Sequence, residues 1–146
     1  MKKTIFCLLV LFTIGTANAQ GKLLQAQEQA KTNHKFILLN FSGSDWCIPC
    51  IQMEKEIFEK ESFHQYAQEH LVVVNADFPR AKKAQPAKEV AKENEALAEQ
   101  YNTKGTFPLT LLLDPNGKVL KEWPGNPEVS AEQFVQQVQA VINANQ

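Results

Sequence analysis

Cysteine is scarce in this 146-residue chain, with three in all, and only Cys47 and Cys50 stand close together. That scarcity excludes a disulfide-stapled scaffold, which would show several spaced cysteines. A zinc ribbon would need a second closely spaced pair, and none exists. His34, His64 and His70 are scattered, so no metal site is expected. Long apolar runs are also missing after the N-terminus, so no later segment is expected to enter a membrane stably. No block of basic residues stands out, which gives no reason to expect nucleic acid. Internal repeats and low-complexity tracts are absent as well.

The N-terminus differs from the rest. Met1-Lys2-Lys3 is a short basic start, Ile5 to Ile14 is apolar, and Ala17-Asn18-Ala19 is a small-x-small cleavage signal. This is the pattern of a secretory signal peptide cut after Ala19. The apolar stretch is shorter than the ~20 residues a span requires. Residues 1–19 are therefore expected to be a signal peptide and 20–146 a single domain. Cleavage would remove Cys7 and two of the 15 Lys+Arg, but none of the 16 Asp+Glu, leaving a net charge of −3. The mature chain would be exported, with a periplasm as the expected compartment and a lumenal setting open.

What remains is Trp46-Cys47-Ile48-Pro49-Cys50. It follows the apolar run Phe36-Ile37-Leu38-Leu39 and the turn Ser42-Gly43-Ser44. A run without alternation suits a central strand covered on both faces. From Cys47 to Lys60 the spacing is helical, with Cys50, Met53, Ile57 and Phe58 on one side, and Pro49 fits the first turn. A cysteine pair at a strand-to-helix junction sits where unpaired N–H groups and the helix dipole favour thiolate at Cys47. Two cysteines so close restrain little of the unfolded chain, so stapling explains them poorly.

Elsewhere the spacing predicts an entry helix from Lys22 to His34 and a short helix over Phe63–Glu69. Leu71 to Asn75 is expected to be a second buried strand. Asp77 to Ala87, with Pro79, Pro86 and three basic residues, is expected to be a surface loop. Lys88 to Tyr101 is a polar helix whose stripe is Val90, Ala91, Leu97, Ala98 and Tyr101, followed by a loop, Asn102 to Phe107. Leu109 to Leu113 is a strand, Asp114-Pro115-Asn116-Gly117 a turn, and Lys118 to Trp123 the returning arm of a hairpin. Ser130 with Gln133 predicts a capping box opening the last helix, whose apolar face is Phe134, Val135, Val138, Val141 and Ile142. The order predicts an α/β fold: a mixed sheet with helices on both faces.

At this point the residues resemble a known family. Trp46-Cys47-Ile48-Pro49-Cys50 after a central strand resembles the thioredoxin active-site motif, and Thr106-Phe107-Pro108 resembles the loop carrying that family's cis-proline. The element order from Phe36 to Ile142 matches the thioredoxin core, a three-layer sandwich. Phe41-Ser42-Gly43-Ser44-Asp45-Trp46-Cys47, with Phe58 downstream, is more similar to the exported thioredoxin-like branch. The resemblance implies thiol–disulfide exchange without a cofactor. Cys47 would be the exposed nucleophile and Cys50 the buried resolving thiol. Trp46, Ile48 and Pro49 would support them, Pro108 would be cis, and Phe107 and Thr106 would contact the substrate. Partners would be protein disulfides or thiols and a membrane or soluble thiol electron donor, met by a monomer. Ile48-Pro49 brings no charge between the cysteines, which tilts the direction toward reduction.

The chain departs from the family in one respect. Counting back six residues from Cys47 without gaps, the usual buried acid falls on Phe41, and Leu71 to Asn75 has no lysine partner. Asp45, Glu54 or water would then have to receive the Cys50 proton. A binding or chaperone module of the same fold, with little turnover, is the alternative function; the intact cysteine pair argues against it. A peroxidase is disfavoured, because residues 20–146 hold no Thr-x-x-Cys arrangement and no third cysteine.

Overall fold

A computed structural model describes residues 21–146; residues 1–19, expected to be a signal peptide, lie outside the described residues. Helix α1 (Lys22–Asn33) leads into strand β1 (Phe36–Ser42), and a turn enters helix α2 (Ile48–Met53), which continues as a π-helical turn over Glu54–Phe58. Helix α3 (Glu61–His70), strand β2 (Leu71–Asp77), helix α4 (Lys88–Tyr101), strands β3 (Leu109–Leu113) and β4 (Val119–Pro124), and helix α5 (Ala131–Asn143) complete the chain. The four strands form one sheet in the order β2-β1-β3-β4. β1 runs parallel to β2 and antiparallel to β3, and β3 pairs antiparallel with β4.

Strands β1 and β3 fill the middle of the sheet, so both their faces are buried. Because side chains alternate along a strand, one register yields two cores. Ile37, Leu39 and Phe41 oppose Leu113, Leu111 and Leu109 and pack with Ala26, Ala30 and Leu97 of α1 and α4. Leu38 opposes Leu112 and faces Met53, Ile57, Phe63, Phe134, Val138 and Ile142. Phe134 is the hub of this second core, with its ring 5.1 Å from Trp123, 6.0 Å from Phe58 and 6.3 Å from Phe63.

Two expectations need correction. The unbroken run of β2 suggested burial on both faces, yet Val73 is 41% exposed. β2 is an edge strand with β1 as its sole neighbour, and Leu71 rather than Val73 joins the core with Phe63 and Ala67 of α3. The helix after Cys47 does not stay α-helical. The Glu59 N–H reaches the Glu54 carbonyl at 2.8 Å, a five-residue step. Wider turns bring residues five apart onto one face, so Met53, Ile57 and Phe58 are all buried.

One inward-facing residue of α4 was not in its apolar stripe. Asn94 lies three residues from both Ala91 and Leu97 and is buried. Its amide donates to the Asp77 carbonyl (2.8 Å) and its oxygen accepts from Lys22 Nζ (2.8 Å), tying α4, β2 and α1 together.

The capping box of α5 is formed: the Gln133 N–H donates to Ser130 Oγ (3.2 Å) and the Ser130 N–H to Gln133 Oε1 (3.0 Å). Because α5 carries the hub of one core, Ser130→Ala is expected to lower stability by about 1 kcal/mol, read as a lower urea midpoint at unchanged m-value.

Candidate active site

The site is built where β1 ends. Gly43 accepts the N–H groups of Trp46 (3.2 Å) and Cys47 (2.9 Å), which folds residues 43–47 into a compact turn. Cys47 is the N-cap of α2, and its Sγ accepts the Cys50 N–H at 3.3 Å. Pro49 sits in the first turn, where no N–H is required. Cys47 and Cys50 are joined as a disulfide. The expected contrast between an exposed Cys47 and a buried Cys50 does not appear in this oxidised form, since the two are 5% and 4% exposed. Cys47 turns its sulfur inward onto Cys50, and the exposed crest is Ile48-Pro49, with Ile48 64% exposed. What distinguishes the two sulfurs is position: Cys47 caps the helix and Cys50 lies inside it.

The turn is fastened to the segment after β2. Ser44 donates its N–H (2.9 Å) and its hydroxyl (2.6 Å) to the Asp77 carboxylate. The Phe78 N–H donates to the Ser42 carbonyl (2.8 Å), and Trp46 Nε1–H donates to the Phe78 carbonyl (2.8 Å). Asp45 accepts the N–H groups of Arg80 (2.9 Å) and Ala81 (2.7 Å). Those bonds, Arg80's first, hold the Asp45 carboxyl below the usual range. Above Trp46 lies the Arg80 guanidinium, 3.9 Å from the ring centroid, a stack worth about 0.5–1 kcal/mol when exposed.

Phe107 meets Trp46 edge-on at 5.5 Å and Phe78 at 5.5 Å, which places the Phe107-Pro108 loop beside the cysteine turn. The Phe107–Pro108 bond is cis, and Pro108 accepts the Gly125 N–H (2.8 Å). The loop is clamped by Asn102, which the sequence reading had merely placed at the start of a loop. Its side chain accepts the Thr106 N–H (2.8 Å) and donates to the Thr106 carbonyl (2.8 Å). Thr106 is thereby committed to the loop's own structure, leaving Phe107 as the apolar surface next to Trp46. Asn102 itself is buried; an Asn ending a helix was the available signal.

Among the described residues, no carboxylate is buried beneath the turn. The ungapped count selected Phe41, whose side chain belongs to the α1/α4 core. On the α2 side of the same strand sits Asn40, buried and paired in register with Thr110. Thr110 Oγ1 lies 3.0 Å from Asn40 Oδ1 and 3.9 Å from Met53 Sδ. A neutral amide and hydroxyl thus occupy the polar position behind α2. Two carboxyls do share a pocket with Cys50: Glu54, one helical turn on, and Glu59. They line a space of about 170 Å3 with Ser42, Ser44, Ile51 and Lys55. Partial burial, then the Glu59 carboxylate, push the Glu54 pKa up. No group of residues suited to a metal ion is found among the described residues.

A helix-capping cysteine pair on a mixed sheet, beside a cis-proline loop, defines the thioredoxin class of protein. The family model for a thioredoxin-like domain matches residues 23–142, and the chain belongs to that family. More particularly, it is 37% identical over 130 residues to the disulfide bond reductase DsbH of Chlamydia pneumoniae, covering 88% of this chain and 76% of that one. A solved structure of a DsbH oxidoreductase superposes with a TM-score of 0.74 at 33% identity, covering 96% of this chain and 95% of that chain. The C-terminal domain of Neisseria meningitidis DsbD in its oxidised form shares the fold, with a TM-score of 0.53 at 21% identity, covering 80% of this chain and 89% of the other. The chain is accordingly a DsbH-like thiol–disulfide oxidoreductase.

Gly43 is where the turn has least room, because a Cβ built there would overlap the Trp46 indole. Gly43→Ala is expected to displace Trp46 and to cost about 1–3 kcal/mol through overpacking. Loss of the Trp46 near-UV signal together with a lowered denaturation midpoint would show it.

Proposed function

We propose that the protein reduces disulfides of exported proteins, with Cys47 as nucleophile and Cys50 as resolving thiol. The observation that carries this reading is the capping geometry of Cys47. Its sulfur already accepts the Cys50 N–H at the start of the helical segment. A thiolate there is stabilised by the same N–H and by the helix dipole.

In the reduced protein, the Cys47 thiolate attacks a substrate disulfide, forming a mixed disulfide and expelling one substrate sulfur as a thiolate. Cys50 then loses its proton and attacks Cys47 Sγ. The second substrate sulfur leaves as a thiolate, which takes its proton from water, and the Cys47–Cys50 disulfide remains. Two electrons pass to the substrate, and a thiol donor, membrane-bound or soluble, restores the dithiol. Trp46 and Phe107 supply the apolar ground beside the sulfurs, with Ile48-Pro49 as the exposed crest and Pro108 holding the loop. The uncharged Ile48-Pro49 pair favours reduction, and the curated relative's name carries the same direction. Residues 1–19 direct export, to a periplasm, and the mature chain acts as a monomer; no described helix is long and apolar enough to cross a membrane.

Of the candidates to receive the Cys50 proton, Asp45 has its oxygens on backbone N–H groups and a lowered pKa. Glu54 lines the Cys50 pocket and is the better base because its pKa is raised. The pocket has room for a water to carry the proton between them.

Cys50→Ser is expected to accumulate mixed disulfides with its clients, whereas Cys47→Ser traps none and loses all reductase activity. Failure of Cys50→Ser to trap any partner would remove the assigned roles. A couple potential below about −300 mV with no turnover would make the disulfide structural instead. For Glu54 the sign is fixed by its role as a base. It acts when deprotonated, so the resolution step in the native protein slows as pH falls through its raised pKa. In Glu54→Gln that acid limb disappears and resolution at neutral pH slows about tenfold or more; stopped-flow decay of the mixed disulfide measures both.

A further inference from the structure

The loop after β2 places positive charge against the active-site turn for no reason the fold supplies. Arg80 is the single arginine of the chain, and its guanidinium is stacked on Trp46, the residue before Cys47. Its backbone is held by Asp45, the residue before that. Lys82 and Lys83 follow in a short 3-10 turn (Lys82–Ala84), and all three cations are exposed. None of them forms an ion pair among the described residues. The nearest carboxylate, Asp45, feels the Arg80 charge but has its oxygens on the backbone. Packing alone could be served by an uncharged side chain on Trp46.

On the Cys50 side of the turn, Glu54 and Glu59 line the pocket together with Lys55, while Asp77, three residues before Arg80, is bound to Ser44. A polypeptide crossing the crest at Ile48-Pro49 therefore meets an apolar patch, Trp46 and Phe107, with the Arg80 guanidinium stacked on Trp46 and Lys82 and Lys83 following two and three residues on in the chain. The rest of the chain offers such a partner no general attraction, since the formal charge of the whole sequence is −1. The selection is local.

We propose that Arg80, with Lys82 and Lys83, forms a recognition edge for partner segments that carry acidic residues next to the reacting cysteine. The inference rests on the thiol–disulfide exchange described above and adds the chemistry of the partner. Arg80 acts by attracting a substrate carboxylate to the Trp46 side of the sulfurs. This differs from a cation that merely stabilises the Cys47 thiolate, which would speed every substrate alike.

The test uses short peptides with one cysteine closed by a disulfide to a small neutral thiol, identical except that both residues flanking the cysteine are Glu, Gln or Lys. The reduced protein is mixed with each, and the second-order rate of reduction is measured. At low salt the expected order is Glu, then Gln, then Lys, with a Glu-to-Lys ratio of about fivefold to tenfold. Near 1 M salt, where screening acts within about 3 Å, the ratio should approach one. Arg80→Gln should reduce the low-salt ratio to about twofold or less. Lys82→Glu/Lys83→Glu, which leaves the Trp46 stack in place, should bring it to one or invert it. Because the ratio is taken within each variant, losses common to all three peptides cancel. Equal rates on Glu and Lys peptides at low salt would overturn the proposal. So would an Arg80→Gln variant slowed equally on all three. No reduction of the Gln peptide by the native protein would instead overturn the exchange reading itself, and this inference with it.

Discussion

The site depends on a knot of hydrogen bonds between two segments more than thirty residues apart. The turn 42–47 has no regular partner of its own, so its polar groups are satisfied by residues 77–81. Asp77 holds Ser44, the Phe78 carbonyl holds the Trp46 indole, and Asp45 holds the backbone of Arg80 and Ala81. Buried or half-buried polar groups left unmatched are costly, so the two segments fix each other. The knot is possible because β1 and β2 are parallel neighbours in register, Ser42 opposite Asp77. Both strands end at the same edge of the sheet, where the helix carrying Cys50 begins.

The polar groups around Cys50 follow a different layout from the one the family resemblance implies. A buried acid behind the resolving cysteine would carry a strong desolvation cost when ionised. Here the interior position is filled by Asn40 and Thr110, which can remain buried without charge. The carboxyls that share a pocket with Cys50, Glu54 and Glu59, are on the helix surface, around a half-open space rather than in the core. The π-turn beginning at Glu54 buries Ile57 and Phe58 together while Glu54 keeps its outward place. The electrostatic character of the site is set by its rim.

Much of the fold was legible in the sequence, because apolar periodicity and turn residues act locally. The run Phe36–Leu39, the Asp114–Gly117 turn and the Ser130/Gln133 cap each specify their element within a few residues. β2 was legible as a strand but not as an edge strand, since four successive apolar residues do not say how many neighbours the strand has. The π-turn was hidden because Met53, Ile57 and Phe58 read as one helical side until the residue count per turn is known. Asn94 and Asn102 were passed over for a related reason. A polar residue that satisfies a distant backbone group looks, in one dimension, like any surface amide.

By itself the sequence determined the chemistry: two cysteines three residues apart at a helix start, an uncharged pair between them, and a proline loop of the right kind downstream. Those features are local and covalent in origin, so no tertiary contact was needed to state them. The tertiary structure alone decided which face of β1 carries Asn40 and which carries Phe41, because a strand's side chains alternate and a one-residue shift exchanges them. It alone brought Asp45 to the backbone of Arg80, across thirty-five residues, and set a cation on Trp46. Distances between side chains far apart in the chain are fixed by strand register and packing, and no pattern of neighbours along the sequence encodes them.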